Sequence, residues 1–374
     1  MNSPFPYNNF IYRVNLSSPP TTAQFVRNAR AETPQPGTVP CPAGTTSLIL
    51  RLANPDPRIG IKNTNRVENE IASMVLVRQA LSASKYSRIV PDVYTWASMS
   101  DGQGFSMQQA MPGPCLRERV LTTSPYRARQ SFLGKWQISW LCYKALSAQM
   151  TLFAGAPSPT YTGFRRNIFN VKLREADDNP VMQGWREGGV RSRLDAFIDG
   201  GLAKALADLE QTKTLVHADF TTNNLLFDPS TLQVTALLDF DFSYVGTAAD
   251  EFMGFSFGNI CGGTLPGPYE SAADQLALRQ LMLSGFRETP PAGWESSETQ
   301  RDLAEEWDRQ LARAGAARPS TISLFEEIAN IYWLQDKVSP FQLHNPMMRK
   351  RMTEEQQRKA RKTTEDLMIK FLVM

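Results

Sequence analysis

Residues 216–225 read Val-His-Ala-Asp-Phe-Thr-Thr-Asn-Asn-Leu, and residues 237–241 read Leu-Leu-Asp-Phe-Asp. The first segment places the carboxylate of Asp219 shortly before the amide of Asn224, and the second ends an apolar run with Asp239. A carboxylate can orient or deprotonate a hydroxyl or amine, while an amide oxygen and a second carboxylate are hard ligands for magnesium on a nucleotide. The spacing therefore predicts a site for phosphoryl transfer.

The pattern around these residues predicts a β-hairpin. Apolar residues flank the polar loop on both sides, and Asp228-Pro229-Ser230 is typical of a turn. Apolar and polar residues then alternate over 231–238, which predicts a strand that ends at Asp239. The hairpin should bring Asp239 back beside Asn224, so that both could contact one cation.

Each of these features has an ordinary explanation when it is taken alone. A His-x-Asp triplet is common, an Asp at a strand end is often a turn former, and an Asn before a strand is often a loop amide. Their combination at this spacing is hard to obtain by chance. It favours the interpretation as a phosphoryl-transfer site.

The run from His217 to Phe227, together with Leu238-Asp239-Phe240-Asp241, resembles the aminoglycoside phosphotransferase and choline kinase-like family, in particular its fungal branch. The resemblance extends from about residue 9 to about residue 335. It implies an α+β, two-lobed protein-kinase-like fold. The small antiparallel-sheet N-lobe would span residues 1–110, and the larger helical C-lobe would span residues 111–374.

The resemblance also implies roles for individual residues. Asp219 would be the catalytic base, with His217 as the second catalytic residue of the motif. Asn224 and Asp239 would bind Mg²⁺, and Asp241 would face the substrate or a second metal ion. The implied cofactors are ATP or GTP together with Mg²⁺, and the implied acceptor is a small molecule.

The N-terminal part should hold the nucleotide. Residues 47–52 predict a strand, and its Arg51 stands where the family places a phosphate-binding lysine. On the helix that follows, Glu70 shares a face with apolar residues, so we expect it to pair with Arg51. Asn65 and Glu68 resemble a helix capping box. The alternatives are an Arg51 at the surface and a solvated Glu70.

Residues 105–113 predict the last strand of the N-lobe and the hinge after it. Gln109, Ala110 and Met111 should border the nucleotide base, which a hinge recognises through backbone groups. The alternative is an ordinary strand leaving a sheet. Residues 102–104, Gly-Gln-Gly, predict a hairpin turn rather than a phosphate loop.

Two features of the N-terminal half depart from the family pattern. Residues 9–16 resemble the second strand of the family, so the first strand and its Gly-rich loop are expected to be absent or very short. Residues 17–46 are rich in proline and predict a mobile insertion. A missing lid would weaken phosphate positioning. This leaves open a pseudokinase, a metabolite-binding protein, or a cleft repurposed in small-molecule biosynthesis without phosphoryl transfer.

Further residues are candidates for contact with the acceptor. Residues 155–190 are rich in Gly, Pro and Asn and predict loops that shape the acceptor pocket. Asp241, Asp250 and Glu251 could favour a cationic acceptor. Asp250 or Glu251 could instead brace the catalytic loop.

Composition limits the remaining possibilities. With 374 residues, 42% of them hydrophobic, the chain can form two lobes with substantial cores. Four scattered cysteines and two histidines predict neither a disulfide framework nor a zinc site. A net charge of +3 is too small to indicate nucleic-acid binding, and no apolar run is long enough for a membrane span. We expect a cytoplasmic protein with no nucleic-acid or membrane partner, and its oligomeric state stays open.

Overall fold

The computed structural model describes residues 8–19, 35–55, 65–115, 150–152, 155–207, 209, 213–231, 233–253, 265–269, 273–289 and 301–372. Contacts between residues divide the chain into two compact units. The first unit contains the described residues up to 115 together with Leu215–Tyr244. The second contains the described residues from 150 to 214 and from 245 onward. The predicted catalytic loop and hairpin therefore belong to the first unit.

Strands dominate the first unit. In chain order, the strands of the described residues are β1 (Asn9–Asn15), β2 (Ser47–Ala53), β3 (Val93–Ala97), β4 (Phe105–Gln109), β5 (Met150–Leu152), β6 (Gly155–Ser158), β7 (Thr214–Val216), β8 (Leu225–Asp228), β9 (Gln233–Leu237) and β10 (Tyr244–Gly246). The first four, which belong to the first unit, form an antiparallel sheet in the order β1-β2-β4-β3. In the same unit β8 pairs with β9, and in the second unit β5 pairs with β6. The predicted hairpin turn before residue 105 is confirmed, because β3 and β4 are antiparallel neighbours.

Helices dominate the second unit. The α-helices of the described residues are α1 (Arg66–Leu81), α2 (Tyr161–Asp177), α3 (Val190–Ala196), α4 (Leu202–Ala205), α5 (Ala273–Ser284), α6 (Arg301–Arg313), α7 (Phe325–Val338), α8 (Phe341–His344), α9 (Pro346–Arg349) and α10 (Glu354–Leu372). All of them except α1 belong to the second unit. The α+β class, with a sheet in the N-terminal region and helices in the C-terminal region, is confirmed. The lobe boundary near residue 110 stays a prediction.

Helix α1 packs the face that its sequence pattern predicts. Val67, Ile71 and Met74 are buried together with Glu70, as expected for residues spaced three or four apart. The predicted capping box is wrong, because Asn65 makes no side-chain cap hydrogen bond. Its backbone angles, φ −95° and ψ 21°, are not the extended conformation from which an N-cap side chain reaches the first turn.

The predicted loops at 155–190 are replaced in part by a long helix. Helix α2 begins after Thr160, whose side chain accepts a hydrogen bond from the backbone of Gly163 and caps the helix. Tyr161, Phe164 and Phe169 are buried on one face. The glycine near the start of α2 weakened the helical signal, yet burial of this aromatic face outweighs the low helix propensity of one glycine.

A buried polar network centres on Arg165 of α2. The guanidinium contacts the carboxylate of Asp250 and donates to the Tyr161 hydroxyl at 2.8 Å. The Tyr161 hydroxyl in turn donates to Asp250 Oδ1 at 2.9 Å. Gln335 on α7 accepts from Arg165 Nη1 at 3.1 Å and donates to its backbone carbonyl at 2.9 Å. The other carboxylate oxygen of Asp250 accepts from the backbone and hydroxyl of Thr247.

These contacts correct the expectation for Asp250, whereas the role of Glu251 stays a prediction. Both side chains are buried, and both carboxylate oxygens of Asp250 accept hydrogen bonds from partners within the second unit. Asp250 therefore stabilises its own turn and does not face an acceptor.

Some expectations fall on residues outside those described. The expected absence of the first strand concerns residues 1–7, which are outside the described residues. So are residues 20–34, which make up half of the predicted insertion at 17–46. Within the described residues, none of the helices has both the length and the apolar composition that a membrane crossing requires.

Candidate active site

The hairpin of β8 and β9 carries Asn224 and Asp239 to neighbouring positions. Leu225 lies opposite Leu237 in the ladder, and the amide of Leu238 donates to the carbonyl of Asn224 at 2.8 Å. Asp239 directly follows Leu238 in the chain. The predicted hairpin is confirmed, and it joins the end of the catalytic loop, residues 217–224, to the segment that carries Asp239.

Asp219 is bonded to Asn224 inside the catalytic loop. The Nδ2 atom of Asn224 donates to the backbone carbonyl and to the carboxylate Oδ2 of Asp219, each at 2.8 Å. Burial and the carboxylate of Asp239 raise the pKa of Asp219 to about 7, against the lowering effect of the bond from Asn224. Because the amide nitrogen makes both bonds, the amide oxygen of Asn224 is the atom that could bind a cation.

His217 is fully buried between the loop and the hairpin. The backbone amide of Asp219 donates to its Nδ1 at 3.3 Å, so the proton lies on Nε2, which is 2.9 Å from the carbonyl oxygen of Leu238. Burial lowers the pKa of His217 to about 4, although the Leu238 carbonyl opposes this effect. The ring is therefore neutral near pH 7. These contacts give His217 a positioning role, and its part in catalysis stays a prediction.

Two residues of the site have a left-handed backbone. Ala218 has φ +62° and Asp239 has φ +63°. In this region the Cβ of an L-residue approaches the following carbonyl oxygen, which is unfavourable for alanine and better tolerated by aspartate. Such strain persists at sites where the surrounding contacts determine the backbone. Here the contacts of His217 and Asp239 do so.

Replacement of Ala218 by glycine is expected to stabilise the protein by about 0.5–1 kcal/mol, because relief of the left-handed strain exceeds the extra backbone freedom of the unfolded chain. Urea-induced unfolding would measure the change. An exposed alanine in a right-handed helix, Ala72 of α1, is the matched control. Ala72→Gly should cost about 0.8–1 kcal/mol. Equal losses in both variants would contradict the assignment of strain at Ala218.

A buried charge cluster lies beside the hairpin. Nη2 of Arg51 on β2 is 2.8 Å from Asp239 Oδ1, 3.2 Å from Glu70 Oε1 and 3.6 Å from Asp241 Oδ1. The expected pair between Arg51 and Glu70 is thus present, and two further carboxylates share the same guanidinium. The alternatives of a surface Arg51 and a solvated Glu70 are wrong, because both side chains are buried.

The charged groups of the cluster shift one another's pKa values. Burial alone would lower the pKa of Arg51, but the carboxylates of Glu70, Asp239 and Asp241 together raise it above its usual range. Burial raises the pKa of Glu70 to about 8, with Arg51 opposing. For Asp239 the effect of burial is outweighed by the charge and hydrogen bond of Arg51, and its pKa is lowered. Asp239 is therefore the carboxylate of the cluster that is held in its charged form.

Asp241 is enclosed by other residues of the first unit. Asp241 is 3% exposed. Its Oδ2 accepts a hydrogen bond from Asn9 Nδ2 at 2.6 Å and lies 3.8 Å from Arg66 Nε. Burial and the Asp239 carboxylate raise the pKa of Asp241. These contacts hold the Asp241 carboxylate within the first unit, and its contact with a substrate or a second metal ion stays a prediction.

Sequence reasoning missed Asn9 and Arg66. Arg66 donates through Nη2 to the backbone carbonyl of Asn8 and to the side-chain oxygen of Asn9, each at 2.5 Å. One signal was available for Arg66, which lies one helical turn before Glu70 and so shares its face. For Asn9, the first residue of β1, the sequence carries no comparable signal.

The predicted hinge follows β4. Gln109 is its last residue, and Ala110 and Met111 come next with half-buried side chains. The Thr235 hydroxyl of β9 donates to the carbonyl of Pro112 at 2.6 Å. The segment after β4 therefore runs against the catalytic hairpin. The contact of residues 109–111 with a nucleotide base stays a prediction.

The donor set suits magnesium. Carboxylate oxygens of Glu70, Asp239 and Asp241 lie within 4.8 Å of one another. Asn224, whose backbone is hydrogen-bonded to the residue before Asp239, carries an amide oxygen that could add a neutral donor. All are hard oxygen ligands of the kind that Mg²⁺ prefers. Among the three carboxylates only Asp239 is accessible, with a side chain 25% exposed against 5% for Glu70 and 1% for Asp241. Asp239 and Asn224 are thus the residues that fit a magnesium ion best.

A model of the phosphotransferase enzyme family matches residues 42–277, which is more than half of the chain. The chain belongs to this family. The predicted protein-kinase-like fold and the kinase-like type of enzyme follow from this membership. The match includes Arg51, Glu70, the catalytic loop and the hairpin, whereas Asn9 lies outside it.

Solved structures show weaker likenesses. The ADP-bound aminoglycoside phosphotransferase APH(2'')-Ib is 12% identical, with 85% of each chain covered and a TM-score of 0.45. A thermostable mutant of APH(4)-Ia in complex with AMP-PNP and hygromycin B is 13% identical, with 88% of each chain covered and a TM-score of 0.44. The gentamicin complex of APH(2'')-IIa is 13% identical over 83% of this chain and 87% of that chain, with a TM-score of 0.45. No curated protein matches the chain.

Proposed function

We propose that this protein transfers the γ-phosphoryl group of ATP or GTP to a hydroxyl or amine of a small molecule, with Mg²⁺ as cofactor. The observation that carries the proposal is the hydrogen bond between the side chains of Asp219 and Asn224. The backbone hydrogen bond from Leu238 to Asn224 links this pair to the segment that carries Asp239. This arrangement supports the proposal because phosphoryl transfer requires a base, and oxygen ligands for the metal, close to one another.

Each residue has a separate task in this proposal. Asp219 accepts the proton of the acceptor hydroxyl or amine, or orients that group for in-line attack. Asn224 holds the Asp219 carboxylate through Nδ2 and offers its oxygen to the metal. Asp239 is the charged metal ligand. When bound, magnesium would neutralise charge on the phosphate oxygens.

Arg51 and Glu70 form the part of the site that holds phosphates. The guanidinium of Arg51 is fixed by Glu70 and Asp239, so little side-chain freedom remains to be lost when a phosphate binds. The backbone of Gln109, Ala110 and Met111 would take the base. Membership in the fungal branch and a cytoplasmic location belong to the same proposal.

A second candidate is a metabolite-binding protein without phosphoryl transfer. The contact of Arg51 with Asp239 favours it, because the guanidinium occupies one oxygen of the carboxylate that should bind magnesium. The two candidates differ in whether nucleotide binding depends on the metal.

Replacement of Asp239 by alanine is expected to abolish magnesium-dependent binding of ATP, because the variant lacks the charged ligand of the metal. Isothermal titration of ATP with and without Mg²⁺ into both proteins would measure this effect. Asp228→Ala, which removes a half-buried carboxylate at the turn end of the same hairpin, is the control and should bind like the natural protein. ATP binding that is equal with and without magnesium, or no ATP binding at all, would contradict the phosphotransferase and favour the metabolite-binding protein.

A further inference from the structure

The start of β1 is joined to the end of the catalytic hairpin by a continuous set of polar contacts. Asn9 donates to Asp241 Oδ2 at 2.6 Å, and Arg66 donates to Asn9 Oδ1 at 2.5 Å. Arg66 also lies 3.8 Å from Asp241 through Nε and holds the carbonyl of Asn8. Asn9 is therefore fixed at both ends of its amide. Asp241 in turn is held on the side of its carboxylate that faces β1.

The other side of the same carboxylate faces Arg51. Asp241 Oδ1 is 3.6 Å from Arg51 Nη2, the atom that also contacts Asp239 and Glu70. Two arginines, Arg51 and Arg66, thus meet the carboxylates of a single cluster, and Arg51 is shared among three of them. A carboxylate that attracts Arg51 weakens the hold of the guanidinium on Asp239, and this leaves Asp239 more available to a cation.

We propose that Asn9 and Arg66 are positioning residues, which hold Asp241 so that its carboxylate shares Arg51 with Asp239 and leaves Asp239 able to bind a divalent cation. With Asp241 absent or turned away, Arg51 would pair more completely with Asp239 and compete with the metal. Asp241 itself touches neither metal nor substrate in this arrangement. The inference rests on the proposed function, and it connects the edge of the sheet to the metal site.

The test is the affinity of the full-length protein for Mn²⁺, a paramagnetic probe of magnesium sites, measured by electron paramagnetic resonance in the presence of ADP. We expect Asp241→Asn to weaken Mn²⁺ binding about tenfold, because it removes the negative charge that offsets Arg51. Asn9→Ala should weaken it about threefold, because it removes one neutral hydrogen bond that orients Asp241. Asp101→Asn removes an exposed carboxylate elsewhere in the first unit and should leave the affinity unchanged.

A second readout separates positioning from a general loss of structure. The affinity for ADP without metal should stay within about twofold of the natural protein in both variants, since only the metal ligand is disturbed. Arg66→Lys keeps the positive charge, but a compact ammonium does not reproduce the two bonds at 2.5 Å. We therefore expect it to behave like Asn9→Ala. If Asp241→Asn does not fold, Asn9→Ala alone decides the question.

The outcomes distinguish this inference from the proposed function. If Asp239→Ala loses Mn²⁺ binding while Asp241→Asn and Asn9→Ala retain it fully, the positioning role is wrong and the proposed metal site stands. If the natural protein binds no Mn²⁺ with ADP, both are wrong. Equal weakening of metal-dependent and metal-free ADP binding would assign the network a structural role and overturn the inference.

Discussion

Replacing Asp219 by asparagine is expected to slow phosphoryl transfer by about 10²–10⁴-fold, the usual contribution of a positioned general base. The amide keeps the shape of the side chain and can still accept the hydrogen bond that Asn224 donates to Oδ2. It can neither take up a proton nor orient a hydroxyl by charge. Nucleotide affinity should stay within about twofold, because Asp239 and Arg51 are unchanged. Single-turnover transfer from radiolabelled ATP to a panel of small alcohols and amines, and to water, would measure the rate.

Asp228→Asn provides the matched control for this measurement. Asp228 starts the turn of the same hairpin, and its carboxylate accepts bonds from Ser230 and Thr231 at the surface. The variant should keep the natural rate of transfer. If Asp219→Asn retains more than about a tenth of the rate, another group must be the base, since loss of a general base costs at least 10²-fold.

Local patterns of the sequence were sufficient for the parts of the site that depend on local structure. The alternation that ends at Asp239 predicted the hairpin, and spacing along α1 predicted that Glu70 would point inward toward Arg51. In both cases a short periodic segment decides which face a side chain takes. The strand bounds differ by a few residues, with β9 at Gln233–Leu237.

The remaining contacts depend on pairings between distant segments. Asp241 follows Asp239 by two residues, yet its partners Asn9 and Arg66 are 232 and 175 positions away along the chain. No periodicity along the chain indicates such contacts, so the sequence does not predict the partners of Asp241. Glycine near the start of α2 had a similar effect, because local propensity was overridden by burial of the helix face.

The second large effect concerns stability, at the buried pair of Arg165 and Asp250. Replacing Asp250 by alanine is expected to lower the free energy of unfolding by about 3–5 kcal/mol, because the charge of Arg165 would remain buried without its partner. Arg165 is 1% exposed, and the aromatic rings of Tyr161 and Tyr332 lie against its guanidinium. Loss of the bonds to Thr247 adds to the cost. Urea-induced unfolding followed by far-ultraviolet circular dichroism would measure the change.

The pair Arg301–Glu305 on α6 is the control, because it has the same chemistry on a helix surface with side chains 32% and 41% exposed. Glu305→Ala should cost less than about 1 kcal/mol. A double variant, Arg165→Leu with Asp250→Asn, should be more stable than Asp250→Ala, since it leaves no unpaired charge in the interior. A loss of less than about 1 kcal/mol for Asp250→Ala would mean that water reaches Arg165 when its partner is removed, and the buried network would then contribute little to the stability of the second unit.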